Sequence, residues 1–199
     1  MPIAARWIHL GPVRAQSLQA AYRGYANALP ASGAPTVLWG RAAESLPLEA
    51  GHWVEPGEFI FALLVPLRLA PGRRARWVSW GLSPLVAALR RFGLAAYLEG
   101  GSILVQAQRI AGGYAQECGS CALVLGRFPA EIRADSRQRL RFDAWLAALD
   151  REARARQVLA AFRASLEAQY DWQFDTAWPT EAELAAIKAE FPVADTPVE

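Results

Sequence analysis

Two short stretches of the 199-residue chain carry residue types that can do chemistry at close spacing. The first is Gln108-Arg109-Ile110-Ala111-Gly112-Gly113, a guanidinium set just before paired glycines. A guanidinium is permanently charged and presents a planar fork of donors that suits a carboxylate or a phosphate, and glycine lets a backbone approach a ligand closely. Arg109 therefore reads as an anion contact, against the plainer reading of an edge residue whose stem covers apolar surface. Gly112 and Gly113 read equally as a ligand-facing pair and as a bulge or a site of close packing. The second stretch, Cys118-Gly-Ser-Cys121, is a CxxC that fits a metal site, a redox pair or a tight turn. Structural zinc takes four N or S ligands, and the two histidines, His9 and His52, are far apart in the chain. A redox pair of the thioredoxin type starts a helix, whereas "ALVLG" after Cys121 reads as strand. The pair is expected to be small turn residues, and no metal is expected.

Composition narrows the classes. A chain of this length buries a real core, and 53% hydrophobic with 20% charged residues fits a folded domain rather than a disordered one. The net charge of +2 offers little pull on a polyanion, so nucleic-acid binding is not expected. The arginine-rich stretch from Arg133 to Arg156 carries both signs at helical spacing and reads as a solvated helix face. Lys188 is the only lysine, so no mechanism that needs an ammonium in the central strands is open to this chain. "MPIAARWIHLGPVRAQ" lacks the form of a secretory signal, and the longest apolar run, "FIFALLVPL", is far too short to span a bilayer. A cytoplasmic protein without a membrane partner is expected.

Elements that would position the two stretches follow from periodicity. Residues 14–29 place Leu18, Tyr22, Tyr25 and Leu29 on one helical face. "TVLWG" is a short strand, 41–53 has loop composition, and "EFIFALLVPLRL" reads as a strand buried on both faces. Ser83 as N-cap, Pro84 at the first helical position and Gly93 at the stop predict a helix over 83–93. Residues 94–99, 102–108 and 121–126 read as strands, with Gly100-Gly101 as a hairpin turn. The tail reads as helices: one capped by Asp135 to about residue 150, a second to about 170, and a last one capped by a Thr180/Glu183 box. The fold class is α+β, a mixed or antiparallel sheet flanked by helices. A single domain is expected, with a core over 1–130 and C-terminal helices over 131–199 packed on it.

On these residues the chain resembles the biotin/lipoate protein ligase superfamily, which joins biotin ligases, lipoate ligases and octanoyl transferases. "SILVQAQRIAGG" is similar to that family's strand motif, with Ile103, Ile110, Ala111 and Gly112 at its apolar and glycine positions and Arg109 where a lysine is usual. "PTVLWGR" resembles an early strand, "WVEPGEFIFALLVPL" the segment after a glycine-rich loop with Glu55 where aspartate is common, and "TEAELAAIKAEF" the closing helix. The resemblance spans most of residues 8–192 and implies the ligase-like fold. It implies a carboxylate cofactor (lipoate, octanoate or biotin) activated by ATP, with Mg as the only metal and only alongside the nucleotide. The acyl group then goes to a lysine on a carrier protein domain. It makes Arg109 the catalytic cation and gives Gly51, His52, Trp39, Trp53, Arg109, Ile110, Ala111, Gly112 and Gly113 as candidates to bind the acid, the two tryptophans as apolar walls. His52 also reads as a satisfied structural histidine. Two departures matter: arginine replaces the motif lysine, and Gly51 stands alone where a run of glycines is usual. They keep open a non-catalytic relative that binds a cofactor or partner. Cys118 or Cys121 as an acyl-carrying thiol would need a geometry unlike the transferases'.

Overall fold

The computed structural model describes residues 1–30, 33–48, 52–128 and 151–191. In chain order the elements are β1 (Ile3–Val13), α1 (Ala15–Ala28), β2 (Thr36–Ala42), β3 (Leu46–Leu48), β4 (His52–Val54), β5 (Phe59–Pro66), a 3-10 turn (Arg74–Arg76) and α2 (Trp77–Arg91). They continue with β6 (Ala96–Glu99), β7 (Ser102–Val105), β8 (Gln108–Cys118), β9 (Cys121–Phe128), α3 (Arg151–Tyr170), β10 (Trp172–Thr176) and α4 (Glu181–Ala189).

Strand β5 is apolar at every position because both its faces are covered. It lies inside an eight-stranded mixed sheet of order β10-β1-β2-β5-β9-β8-β7-β6, in which β1 runs parallel to both β10 and β2 and the other neighbours are antiparallel. Side chains alternate between faces along a strand, so Phe59, Phe61, Leu63 and Val65 pack into one core with α2 and α3, while Ile60, Ala62 and Leu64 pack into a second core with α1. The apolar stripe of α1, Leu18, Tyr22, Tyr25 and Leu29, belongs to that second core, as the helical spacing predicts.

Several local readings hold. Gly93 adopts φ +77° just beyond α2, and Gly100 and Gly101 turn the β6–β7 hairpin at φ +53° and +81°. The Thr180/Glu183 capping box is formed in both directions, Glu183 N–H to Thr180 Oγ1 at 3.3 Å and Thr180 N–H to the Glu183 carboxylate at 2.7 Å. The expected helix after Asp135 falls outside the described residues.

Others are corrected. Residues 41–53 do not form a loop throughout: Leu46–Leu48 and His52–Val54 pair as a small antiparallel hairpin. Strands β1 and β10 were not expected; in β1 the polar Arg6 alternates with buried Ala5 and Trp7, and exposed His9 follows buried Ile8. The run 102–108 is broken by a two-residue turn at Gln106 and Ala107, both at positive φ, and β8 begins at Gln108.

The largest correction concerns α2, which starts at Trp77 and carries Pro84 in its interior. Ser83 is no cap; its hydroxyl donates to Gln169 Oε1 at 2.7 Å. Proline lacks the N–H that would bond the carbonyl four residues back, and that carbonyl, on Trp80, instead accepts the hydroxyl of Tyr170 from α3. The ring of Tyr170 also packs on Trp80 and Trp172. Burial pushes the Tyr170 phenol well up, so it stays a donor. Removing only the hydroxyl, in Tyr170→Phe, is expected to destabilise the fold by about 1–2 kcal/mol in urea unfolding. In a Pro84→Ala background, where residue 84 regains its N–H, the same change is expected to cost less.

Candidate functional site

A bulge brings the first stretch together. Residues three apart in a regular strand point to opposite faces, so Arg109 and Gly112 would be separated. The β7–β8 register shifts instead: Leu104 faces Arg109, and Ile103 faces Ala111, leaving Ile110 as the extra residue. Ile110 and Ala111 both enter the α2–α3 core, and Arg109 and Gly112 both lie on the other face. There the Arg109 guanidinium spreads over Gly112, with Nη2 3.2 Å from where a Cβ on that glycine would sit. Arg109 is otherwise exposed.

Across the ladder Gly112 pairs with Arg127 of β9. Arg127 is mostly buried and donates through Nη1 to both carboxylate oxygens of Glu58, each at 3.0 Å. Its Nε is buried and has no hydrogen-bond partner among the described residues. Glu58 also accepts the Glu55 N–H at 2.9 Å, which fixes the turn into β5. Burial, and then the charge of Arg127, pull the Arg109 guanidinium below its ordinary value. The two guanidiniums thus share a corner in which Glu58 is bound to Arg127, and the Arg127 Nε is a donor with no partner there among the described residues.

The remaining candidates distribute differently. Gly113 faces the α2–α3 side opposite Gly126, which in turn pairs with Phe61. A methyl on Gly113 would be driven into the Leu125 carbonyl oxygen and come within 3.0 Å of Gly126 Cα, so its packing alone calls for glycine. Trp39 pairs with Phe61 and lies on the α2–α3 face, away from Arg109. His52 and Trp53 lie on β4 opposite Leu48 and Pro47, their side chains outside the description, and Gly51 lies outside the described residues. Sequence reading missed Arg127 and Glu58. A lone cation after Gly126 in the otherwise apolar β9 was the signal.

The second stretch is a hairpin turn. Cys118 and Cys121 face each other across Gly119 and Ser120, with Gly119 at φ +55°, and both are free thiols. Burial raises both above the ordinary thiol value, which disfavours the thiolate that a nucleophile or metal ligand needs. Among the described residues no group of three or more His, Cys, Asp or Glu is placed to hold a metal ion, and no helix is long and apolar enough to cross a membrane.

No family model and no curated sequence matches the chain, but solved structures do. A lipoate protein ligase from T. acidophilum with bound lipoic acid matches over 95% of each chain at a TM-score of 0.72 and 12% identity. Lipoate-protein ligase A bound with ATP matches over 95% of this chain and 94% of that one, at 0.72 and 13%. The biotin acetyl coenzyme A carboxylase synthetase from Helicobacter pylori, with bound biotinylated ATP, matches over 83% and 74%, at 0.56 and 12%. The chain therefore has the α+β fold of the lipoate and biotin protein ligase catalytic domains, as its motifs imply.

Proposed function

We propose that the corner formed by Arg109, Gly112 and Arg127 receives the carboxylate of a lipoate-, octanoate- or biotin-type acid. In this reading the chain is a ligase-type acyltransferase. A carboxylate oxygen attacks the α-phosphorus of ATP and pyrophosphate leaves; a lysine amine of a carrier protein domain then attacks the acyl carbon, AMP leaves and an amide forms. The carrying observation is the bulge in β8, which turns a guanidinium onto a glycine next to a second, half-satisfied guanidinium. Negative charge that builds on the acyl and phosphoryl oxygens would be met by fixed donors, the largest single source of rate in such reactions. The fold supports this reading, since its structural neighbours bind lipoate, ATP and biotinylated ATP. So does one bi-partite ligase described with its E2 lipoyl domain, matching over 95% of this chain at a TM-score of 0.72.

One observation favours a second reading, a binding module without turnover: the sole lysine, Lys188, lies on α4 rather than on β8. Mass spectrometry of lipoyl and biotinyl carrier domains incubated with each acid, ATP and Mg separates the two. The expected result is an acylated carrier, formed about a hundredfold more slowly by Arg109→Ala. Unmodified carriers with every acid, from both the natural chain and Arg109→Lys, would end the enzyme reading. A melting temperature raised by the acid without ATP would then point to the binding module.

A further inference from the structure

The Cys118-Gly119-Ser120-Cys121 turn takes no part in the reaction proposed above, yet the fold holds it on several sides. The Ser120 hydroxyl donates to the Leu29 carbonyl just past α1 at 3.1 Å, and the Ser120 carbonyl accepts the Leu67 N–H beyond β5 at 3.1 Å. Gly119 lies so close to α1 that a Cβ on it would come within 2.9 Å of the Ala26 carbonyl oxygen. A turn pinned in this way keeps the two residues that flank it in one relative position.

Those residues are the only two cysteines of the chain, and they pair directly across the β8–β9 ladder. Directly opposed residues of an antiparallel pair stand about 4.5–5.5 Å apart between Cα atoms, inside the range of about 4.4–6.8 Å that a disulfide spans. Their side chains also share a face: Cys121 belongs to the core beneath α1, and Cys118 packs against that core. They differ in access. Cys121 is fully buried whereas Cys118 is half-buried, so a reagent from solvent meets Cys118 first and Cys121 only through it. Burial slows the attack of either thiol by keeping it protonated. It also denies the reduced pair the stable thiolate that makes some disulfides strongly oxidising, so the bond, once closed, is not readily given up.

We propose that Cys118 and Cys121 form a reversible disulfide by exchange with a small-molecule disulfide, independently of the reading placed at Arg109. The Cys118 thiolate attacks one sulfur of that disulfide, one half leaves as a thiol, and a mixed disulfide remains on Cys118. Cys121 gives up its proton and attacks the Cys118 sulfur, and the second half leaves. The cysteine pair is oxidised by two electrons, the small disulfide is reduced to two thiols, and the protons lost by the cysteines end on those thiols. The new bond staples the closed end of the β8–β9 hairpin. Its test is intact-mass spectrometry of the folded, full-length protein after incubation with oxidised glutathione, quenched with iodoacetamide in denaturant. The natural chain is expected to end as a monomer lighter by two hydrogens that takes up no alkyl group until dithiothreitol is added. Cys121→Ala is expected to stop at the glutathione adduct, and Cys118→Ala, left with the buried thiol, to react about tenfold more slowly than Cys121→Ala. Closing the bond is expected to raise Tm by about 4 °C. The natural chain decides the main result without any variant. A natural chain that stays reduced, keeps the adduct, joins two copies or closes the bond only when unfolded overturns the proposal. So does a Tm lowered by oxidation, or a Cys118→Ala that reacts as fast as Cys121→Ala.

Discussion

Gly113→Ala is expected to lower stability by about 3 kcal/mol, roughly 6–12 °C in Tm for a chain of this size, while Gly112→Ala is expected to fold with a loss of about 1 kcal/mol or less. The adjacent glycines differ in what surrounds them. The space for a methyl at Gly113 is taken by main-chain atoms of β9, the Leu125 carbonyl and Gly126 Cα, inside a paired ladder that cannot shift without breaking hydrogen bonds. At Gly112 the neighbours are the Gly101 carbonyl oxygen at 3.1 Å and the far end of the Arg109 side chain at 3.2 Å, which can swing aside. That displacement moves the guanidinium off the proposed anion corner, so Gly112→Ala is expected to retain its fold and weaken acid binding. Thermal melts and ligand titration on both variants check this pair of outcomes. Equal destabilisation of the two would contradict the packing role given to Gly113.

Glu183→Ala is expected to destabilise by about 2–3 kcal/mol in urea unfolding. Its carboxylate closes the capping box of α4 and forms an ion pair with Arg6 of β1, including a bond from Arg6 Nη2 at 3.0 Å. The Arg6 guanidinium also sits 5.8 Å over the ring of Tyr25, so strand, helix α1 and helix α4 meet at this pair. Burial alone would raise the Glu183 carboxyl, but hydrogen bonds from Arg6 and Thr180 outweigh it and hold the group below the ordinary 4.5. The unfolded chain thus takes up a proton at higher pH than the folded one. The stabilisation is complete above the unfolded value and is lost as pH falls through the lower folded value. Natural protein is expected to lose stability on acidification below pH 4.5 more steeply than Glu183→Ala. Parallel acid profiles would rule out this linkage.

Much of the sheet can be read locally because its central strands are extreme cases. The continuous apolar run of β5 announces a strand covered on both faces, and Gly100-Gly101 and Thr180/Glu183 each satisfy their own stretch of backbone. The failures share a different cause, a partner distant in sequence. Ser83-Pro84 looks like a helix start because nothing nearby shows that Tyr170 will take the carbonyl that Pro84 leaves open. Arg6 and His9 look like interruptions until Glu183 and Trp39 are placed beside them. The site divides the same way. Arg109 stands out by its position before the glycines, but Arg127 acquires meaning only through a cross-strand register. Trp39 was grouped with Arg109 although strand alternation and the bulge at Ile110 put them on opposite faces.

The edge formed by β10 has a consequence for synthesis. Among the described residues, strand β1 obtains its outer neighbour from Trp172–Thr176, which is made long after it. Until a ribosome has released that segment, a nascent chain presents the outer side of β1 as an unpaired row of amides and carbonyls, the template on which strangers pair. The long wait between making β1 and sealing it is when chaperone cover matters most to this protein.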